Sequence, residues 1–196
     1  MKNDCNVKII DDKEVLKETR LSGIRKIIAN RMQESLRNSP QATITGKADM
    51  SNLISLRKKY LNQGIELSFT DLFIKIAGIA IKLHPEMNVS LQDGKIIQYK
   101  SINIGVAVGT DKALFVPVIK NVQDKNLIEV SEEFKMLVNK IHGQKITSEE
   151  LTGGTFTISN MGMFKVDVMT PILNSPEAAI LSIGRTCKEL VVEKDD

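Results

Sequence analysis

From Ser22 onward the apolar residues Ile24, Ile27, Ile28, Met32 and Leu36 recur at steps of three and four. That spacing predicts a helix, with Ser22 able to cap it. Asn38-Ser39-Pro40 stops the pattern. Ala42, Ile44, Ala48 and Met50 then alternate with Thr43, Thr45, Lys47 and Asp49, which predicts a strand with one wet face. A short helix carrying Leu53, Leu56 and Tyr60 follows, capped by Asp49 or Ser51 and ending at Gly64. A third helix begins after Ser68 and is expected to bury Phe69, Leu72, Phe73, Ile76, Ala77 and Ala80 before His84-Pro85 stops it.

The middle of the chain switches to period two. Val89–Leu91 and Ile96–Tyr99 flank Asp93-Gly94, a hairpin turn signal. Ile102–Val108 and Leu114–Ile119 form a second predicted pair, apolar at nearly every position and so expected to be covered on both faces. A helix bearing Val130, Phe134, Leu137, Val138 and Ile141 ends at Gly143, and Thr147-x-x-Glu150 has the form of a capping box. Strands at Thr155–Ser159, Ala178–Ile183 and Glu189–Val192 complete the prediction. Helices and hairpins mixed in this order make an α+β domain with helices packed on a mixed sheet.

Composition narrows the function classes. At 196 residues the chain has the length of one domain with a short appendage. Twenty-seven Lys and Arg face 24 Asp and Glu, and neither sign gathers on one long segment. A nucleic-acid binder needs clustered positive charge and stacking platforms; here there is no Trp and only 4% aromatic residues. No apolar run approaches the ~20 residues of a membrane span, and the N-terminus lacks an apolar signal core. Cys5 and Cys187, far apart, suggest neither a disulfide framework nor a metal site and suit a reducing cytoplasm. Residues 1–20 carry interspersed, cancelling charges and read as a linker or arm, with the folded domain spanning 21–196.

Candidate chemistry is sparse. Gly105-Val-Ala-Val-Gly109-Thr-Asp-Lys112 misses the spacing of a phosphate loop, and its first half reads as buried strand. No Gly-x-Gly-x-x-Gly joins a strand to a helix. The two histidines, His84 and His142, sit at helix ends, where an imidazole meets exposed carbonyls. The acid pairs Glu132-Glu133 and Glu149-Glu150 fall on helix surfaces or first turns. The segment Gly153–Gly184 differs. A Gly-Gly entry leads into a strand whose Thr155, Thr157 and Ser159 share one face, followed by Asn160, Gly162, a Thr-Pro loop and an apolar strand. Periodicity alone reads that hydroxyl row as a wet face.

At this segment the chain resembles the catalytic domain of the dihydrolipoamide acyltransferases of the 2-oxo acid dehydrogenase complexes. The likeness runs from about Leu21 to the C-terminus. It rests on the Leu21-Ser-Gly-Ile-Arg-Lys-Ile-Ile-Ala-Asn-Arg-Met32 helix and the Asn103-Ile-Gly-Val-Ala-Val108 and Leu114-Phe-Val-Pro-Val-Ile119 pair. It rests equally on Gly153-Gly-Thr-Phe-Thr-Ile-Ser-Asn160 and on Thr170-Pro-Ile with Pro176-Glu-Ala-Ala-Ile180. The resemblance implies a chloramphenicol acetyltransferase-like fold, a mixed sheet flanked by helices. It also implies cytoplasmic homotrimers that build cubic or dodecahedral cores and partner the dehydrogenase components of a 2-oxo acid complex. The implied reaction moves an acyl group between a dihydrolipoyl thioester and coenzyme A. Such chemistry needs a general base for the thiol and a donor for the oxyanion.

By resemblance Ser159 is the donor that stabilises the intermediate. Asn160 is expected to border the coenzyme A channel, and Arg25 resembles an arginine that holds the family's histidine loop. The family's base lies in Asp-His-Arg-x-x-Asp-Gly, a motif absent from the 196 residues. The expectation is a catalytic core that stops before its histidine motif, last strand and last helix, and that lacks the preceding lipoyl and subunit-binding domains. Such a chain alone is expected to be nearly inactive. The alternatives are a non-enzymatic, trimer-forming scaffold or degenerate homologue and, ranked last, a stand-alone acetyltransferase of the chloramphenicol type.

Overall fold

The structure, a computed structural model, describes residues 8–111 and 113–190. Its elements in chain order are β1 (Ile9–Ile10), β2 (Lys13–Glu14), α1 (Gly23–Asn38), α2 (Ser51–Asn62), α3 (Phe69–Leu83), β3 (Val89–Gln92) and β4 (Lys95–Gln98). β5 (Ile104–Val106), β6 (Val108–Gly109), β7 (Leu114–Phe115), β8 (Val118–Ile119), α4 (Leu127–His142), β9 (Phe156–Asn160) and β10 (Ile180–Ile183) follow. One four-stranded sheet carries the domain, in the order β10-β9-β5-β8. It is mixed: β9 runs parallel to both β5 and β10, while β8 is antiparallel to β5.

Helices α3 and α4 cover one face of this sheet. Ile74, Ala77 and Ile81 of α3 and Val130 and Leu137 of α4 pack with Ile104, Val106, Phe156 and Ile158 in a single buried cluster. Each of these Ile, Val, Leu and Phe side chains contributes about 1.5–3 kcal/mol by leaving water. Both helices start at capping boxes, Ser68 with Asp71 and Asn126 with Glu129, so their first amide donors are satisfied locally. Asp71 serves twice: fully buried, it also accepts a 3.0 Å hydrogen bond from Ser131 and so ties α3 to α4. Arg57 braces the entry to α3 from α2, donating to the Leu67 carbonyl at 2.7 Å with its guanidinium over the Phe69 ring.

Four expectations need correction. The alternating stretch at 42–50 forms no strand among the described residues and is almost wholly exposed; Ile44 is 97% accessible. Alternation gives a strand two faces, but a strand also needs a neighbour to bond, and none lies alongside. The face of α3 that is buried is Leu72, Ile74, Ala77, Gly78 and Ile81, whereas Ile76 and Ala80 are exposed. Apart from Thr70, Asp71, Lys75 and Lys82 this helix is apolar, so its sequence leaves the phase of burial open. Tight packing on Val122 chooses it: a Cβ on Gly78 would lie 2.7 Å from the Val122 side chain.

The third correction concerns the long apolar hairpin, which is broken in two. β5 pairs with β8 and β6 with β7 in one continuous register, Ile104↔Ile119 to Gly109↔Leu114. The break falls at Pro117, which has no N–H to donate. Only the β5–β8 half is fully buried; β6 and β7 reach solvent. The last concerns the C-terminal strand: Glu189 and Leu190 are not in a strand, and Val191 and Val192 lie outside the described residues.

A smaller difference is the cap of α2, where Met50 holds the N-cap without a side-chain bond and Asp49 accepts from Ser51 N–H at 2.8 Å. β3 and β4 meet at Asp93-Gly94, both at positive φ, and the Thr147–Glu150 capping box is present. At the N-terminal side, β1 and β2 form a small exposed hairpin. Ser22 occupies the N-cap of α1 without a side-chain capping bond.

The segment after β9 is fitted against the end of β10 backbone to backbone. Arg185 N–H donates to the Val166 carbonyl at 2.8 Å, and a Cβ on Gly184 would sit 2.1 Å from the Asp167 carbonyl oxygen. Because backbone cannot swing aside as a side-chain end can, Gly184→Ala is expected to cost roughly 3 kcal/mol. Gly109→Ala, where a Cβ meets nothing within 4 Å, should stay within about 0.5 kcal/mol of wild type. Denaturant midpoints of the two variants check the pair.

Candidate active site

β9 presents two chemically different faces because successive side chains alternate. Phe156 and Ile158 point into the core under α3 and α4. Thr155, Thr157 and Ser159 point the other way, where a Cβ on Gly105 would come within 3.2 Å of Thr157 Oγ1. This row is not the wet face that periodicity suggests. Thr155 and Thr157 are 5% and 2% exposed, and only Ser159 is half-buried.

The buried hydroxyls are both occupied. Thr155 Oγ1 accepts from Asn103 N–H at 3.1 Å and donates to the Asn103 carbonyl at 3.2 Å. Thr157 Oγ1 donates to Glu177 Oε2 at 2.6 Å. Ser159 Oγ has no hydrogen-bond partner among the described residues. The row thus ends in one hydroxyl that is accessible and uncommitted, the state required of a donor that waits for a transient oxyanion.

Asn160 lies on the opposite face. Its Nδ2 donates to Thr70 Oγ1 near the start of α3 at 3.1 Å, and its Oδ1 accepts from Gly162 N–H at 3.0 Å. These bonds make it a turn residue that pins β9 to α3. Arg25 is exposed on the first turn of α1. Of the three residues singled out in the sequence, only Ser159 stands on the hydroxyl face.

Both histidines are remote. His84 caps the C-terminal end of α3, about 20 Å along the axis from the Thr70 end that Asn160 touches. His142 is the last residue of α4, about 16 Å along its axis from Ser131, which bonds the start of α3. Both are exposed. Among the described residues no three His, Cys, Asp or Glu side chains gather to hold a metal ion. A surface hollow of about 290 Å³ lies between Arg31, Met32 and Glu34 of α1 and Asn174, Ser175 and Pro176, but Ser159 does not line it.

Sequence reasoning passed over Glu177. It is 4% exposed, accepting from Thr157 and, at 2.8 Å on Oε1, from Asn174 Nδ2. A bridge to Ser90 of β3 completes its setting, with Gly154 close enough that a Cβ there would lie 2.9 Å from Oε1. Among the described residues no charged side chain pairs with it. Burial therefore pushes its carboxyl up to about 7, and the hydrogen bonds from Thr157 and Asn174 only partly pull it back. An acid inside the otherwise apolar Pro176–Ile180 run was the available signal, but its partners are distant in sequence.

The comparisons with known proteins bear on this geometry. The family model for the 2-oxoacid dehydrogenases acyltransferase (catalytic domain) matches residues 13–196. The chain belongs to this family. An acetyltransferase component of the Bacillus subtilis acetoin cleaving system is 41% identical over 172 residues, covering 85% of this chain and 43% of the relative. The acetyltransferase component of the Bacillus subtilis pyruvate dehydrogenase complex is 38% identical, covering 89% of this chain and 41% of the relative. The chain thus spans less than half the length of these curated relatives.

Among solved structures, the Azotobacter vinelandii dihydrolipoamide acetyltransferase superposes with a TM-score of 0.88 at 30% identity, covering 95% of this chain and 80% of that one. That enzyme was investigated for the part a serine, a histidine and an asparagine take in its catalytic mechanism. A probable dihydrolipoamide acetyltransferase from Listeria monocytogenes superposes at 0.86 and 32%, covering 92% and 79%. The fold is accordingly that of the acyltransferase catalytic cores. No helix among the described residues is long and apolar enough to cross a membrane.

Glu177 gives this acyltransferase domain a pH signature. Its carboxyl is raised from 4.5 to about 7 on folding, so the folded state binds the proton more tightly than the unfolded chain. The stability tied to Glu177 is therefore fully present below pH ~4.5 and lost as pH rises through about 7, on the order of 3 kcal/mol in total. Glu177→Gln keeps the neutral shape. The melting temperature of wild type minus that of Glu177→Gln should fall between pH 4.5 and 7.5 and then level off.

Proposed function

We propose that this domain holds the thioester carbonyl in acyl transfer between a dihydrolipoyl group and coenzyme A, with Ser159 as the oxyanion donor. The single observation carrying this reading is the uncommitted, half-buried Ser159 hydroxyl at the end of a row whose other members are fully bonded. In the reaction the attacking thiolate forms a C–S bond to the carbonyl carbon while the carbonyl electrons move to oxygen. Ser159 donates to that oxyanion. Collapse expels the second thiolate, and the proton released by the attacking thiol returns to it.

The attacking thiol, with an ordinary pKa of roughly 8.5, needs a base to lose that proton at neutral pH. His84 and His142 stand too far from Ser159 to act as that base. We therefore infer that these 196 residues alone turn over slowly, by ~10²–10⁴-fold relative to an enzyme with its base in place. Asn160, with both amide groups engaged, is assigned to holding β9, and Arg25 to the histidine loop that the family resemblance suggests. The relatives' membership of multienzyme complexes supports a homotrimer-based core with dehydrogenase components as partners, and the bacterial ones among them support a cytoplasmic location. The related cubic core of a pyruvate dehydrogenase complex, at a TM-score of 0.88, supports the same assembly.

A scaffold role is the second reading. It is favoured by the distance of the two histidines and by a mouse mitochondrial relative, 35% identical, named pyruvate dehydrogenase protein X component and not as a transferase. Two measurements separate the readings. Acyl transfer predicts saturable acetyl-coenzyme A binding by calorimetry and slow acetylation of dihydrolipoamide that Ser159→Ala lowers a further ~10²–10³-fold. A trimer-sized particle that binds no coenzyme A would instead identify a scaffold, and transfer at an ordinary enzyme's rate would refute the missing-base inference.

A further inference from the structure

β10 lies parallel to β9 in the register Ser182↔Ser159, between Leu181↔Ile158 and Ile183↔Asn160. Directly opposed residues of parallel strands point to the same side. Ile183 packs against the core that Ile158 fills, so Ser182 and Ser159 both face away from it. Like Ser159, Ser182 is half-buried, and its hydroxyl has no partner among the described residues. Two free hydroxyls therefore stand side by side at the open end of a row that is otherwise filled.

We propose that Ser182 is a second donor to the acyl oxygen, forming with Ser159 a two-hydroxyl oxyanion site across the β9–β10 pair. The role rests on the acyl-transfer reading of Ser159. The dimensions suit it: adjacent strands lie ~4.8 Å apart, and one oxygen accepting two O–H···O bonds of ~2.7 Å can bridge hydroxyls up to ~5.4 Å apart. Two converging donors are the usual construction for a tetrahedral intermediate, since the developing charge exceeds what one hydroxyl neutralises. Occupied hydroxyls could not serve, because a bond already made must be broken as the charge appears. Thr157, committed to Glu177, is excluded on that ground.

The test reads the bound carbonyl directly, so it does not depend on turnover. Acetyl-coenzyme A labelled with ¹³C at the carbonyl is bound to the wild-type chain and followed by infrared difference spectroscopy. Hydrogen bonds from both hydroxyls should move the thioester stretch to lower wavenumber. Ser182→Ala and Ser159→Ala should each recover part of that shift, the double variant nearly all of it, and Ser182→Thr should retain it. A packing role for Ser182 would change the melting temperature and leave the carbonyl band in place. A band unmoved by Ser182→Ala but moved by Ser159→Ala would overturn the second donor and leave the acyl-transfer reading standing. Absence of saturable binding by wild type would overturn that reading, and the Ser182 role with it.

Discussion

The parallel pairing of β9 with a neighbour on each side is the constraint on which the rest of this molecule depends. A strand bonded on both edges cannot slip by one residue without turning Phe156 and Ile158 out of the core and Thr157 and Ser159 into it. The hydrophobic term on one face thus sets the position of the polar groups on the other. Apolar burial under α3 and α4 is non-directional, yet through register it places a hydroxyl with the accuracy of the backbone ladder.

The polar face then sorts itself by bonding. Burying a hydroxyl without a partner costs about 1–3 kcal/mol, and Thr155 and Thr157 avoid that through Asn103 and Glu177. Satisfying Thr157 transfers the difficulty to Glu177, a carboxyl held in a nearly dry site with two donors and no cation among the described residues. Its response is the ordinary one of a buried acid, retaining its proton to near neutrality. Ser159 and Ser182 escape the same requirement because they reach solvent. The gradient from bonded to free along one strand separates structural hydroxyls from those available to a substrate.

Much of this architecture was legible in the letters. Capping residues at Ser68 and Asn126, the Asp93-Gly94 turn and the α4 stripe of Val130, Leu137 and Ile141 act through neighbours a few positions away, and local spacing records such interactions faithfully. The sharing of one face by Thr155, Thr157 and Ser159 was equally plain, since alternation follows from strand geometry alone. Where the pattern was ambiguous, the outcome depended on partners. The largely apolar α3 left its buried side open until Val122 met Gly78, and the alternating 42–50 segment found no strand to pair with among the described residues.

Family membership and Ser159 as a candidate followed from ordered motifs in the chain. That Asn160 faces α3, that Glu177 closes on Thr157 and that Ser182 stands beside Ser159 were decided by tertiary structure. Each of these depends on residues 20 or more positions apart being brought together by sheet pairing or helix packing. A linear pattern reports which way a side chain points relative to its own strand; only the assembled sheet decides what it meets there.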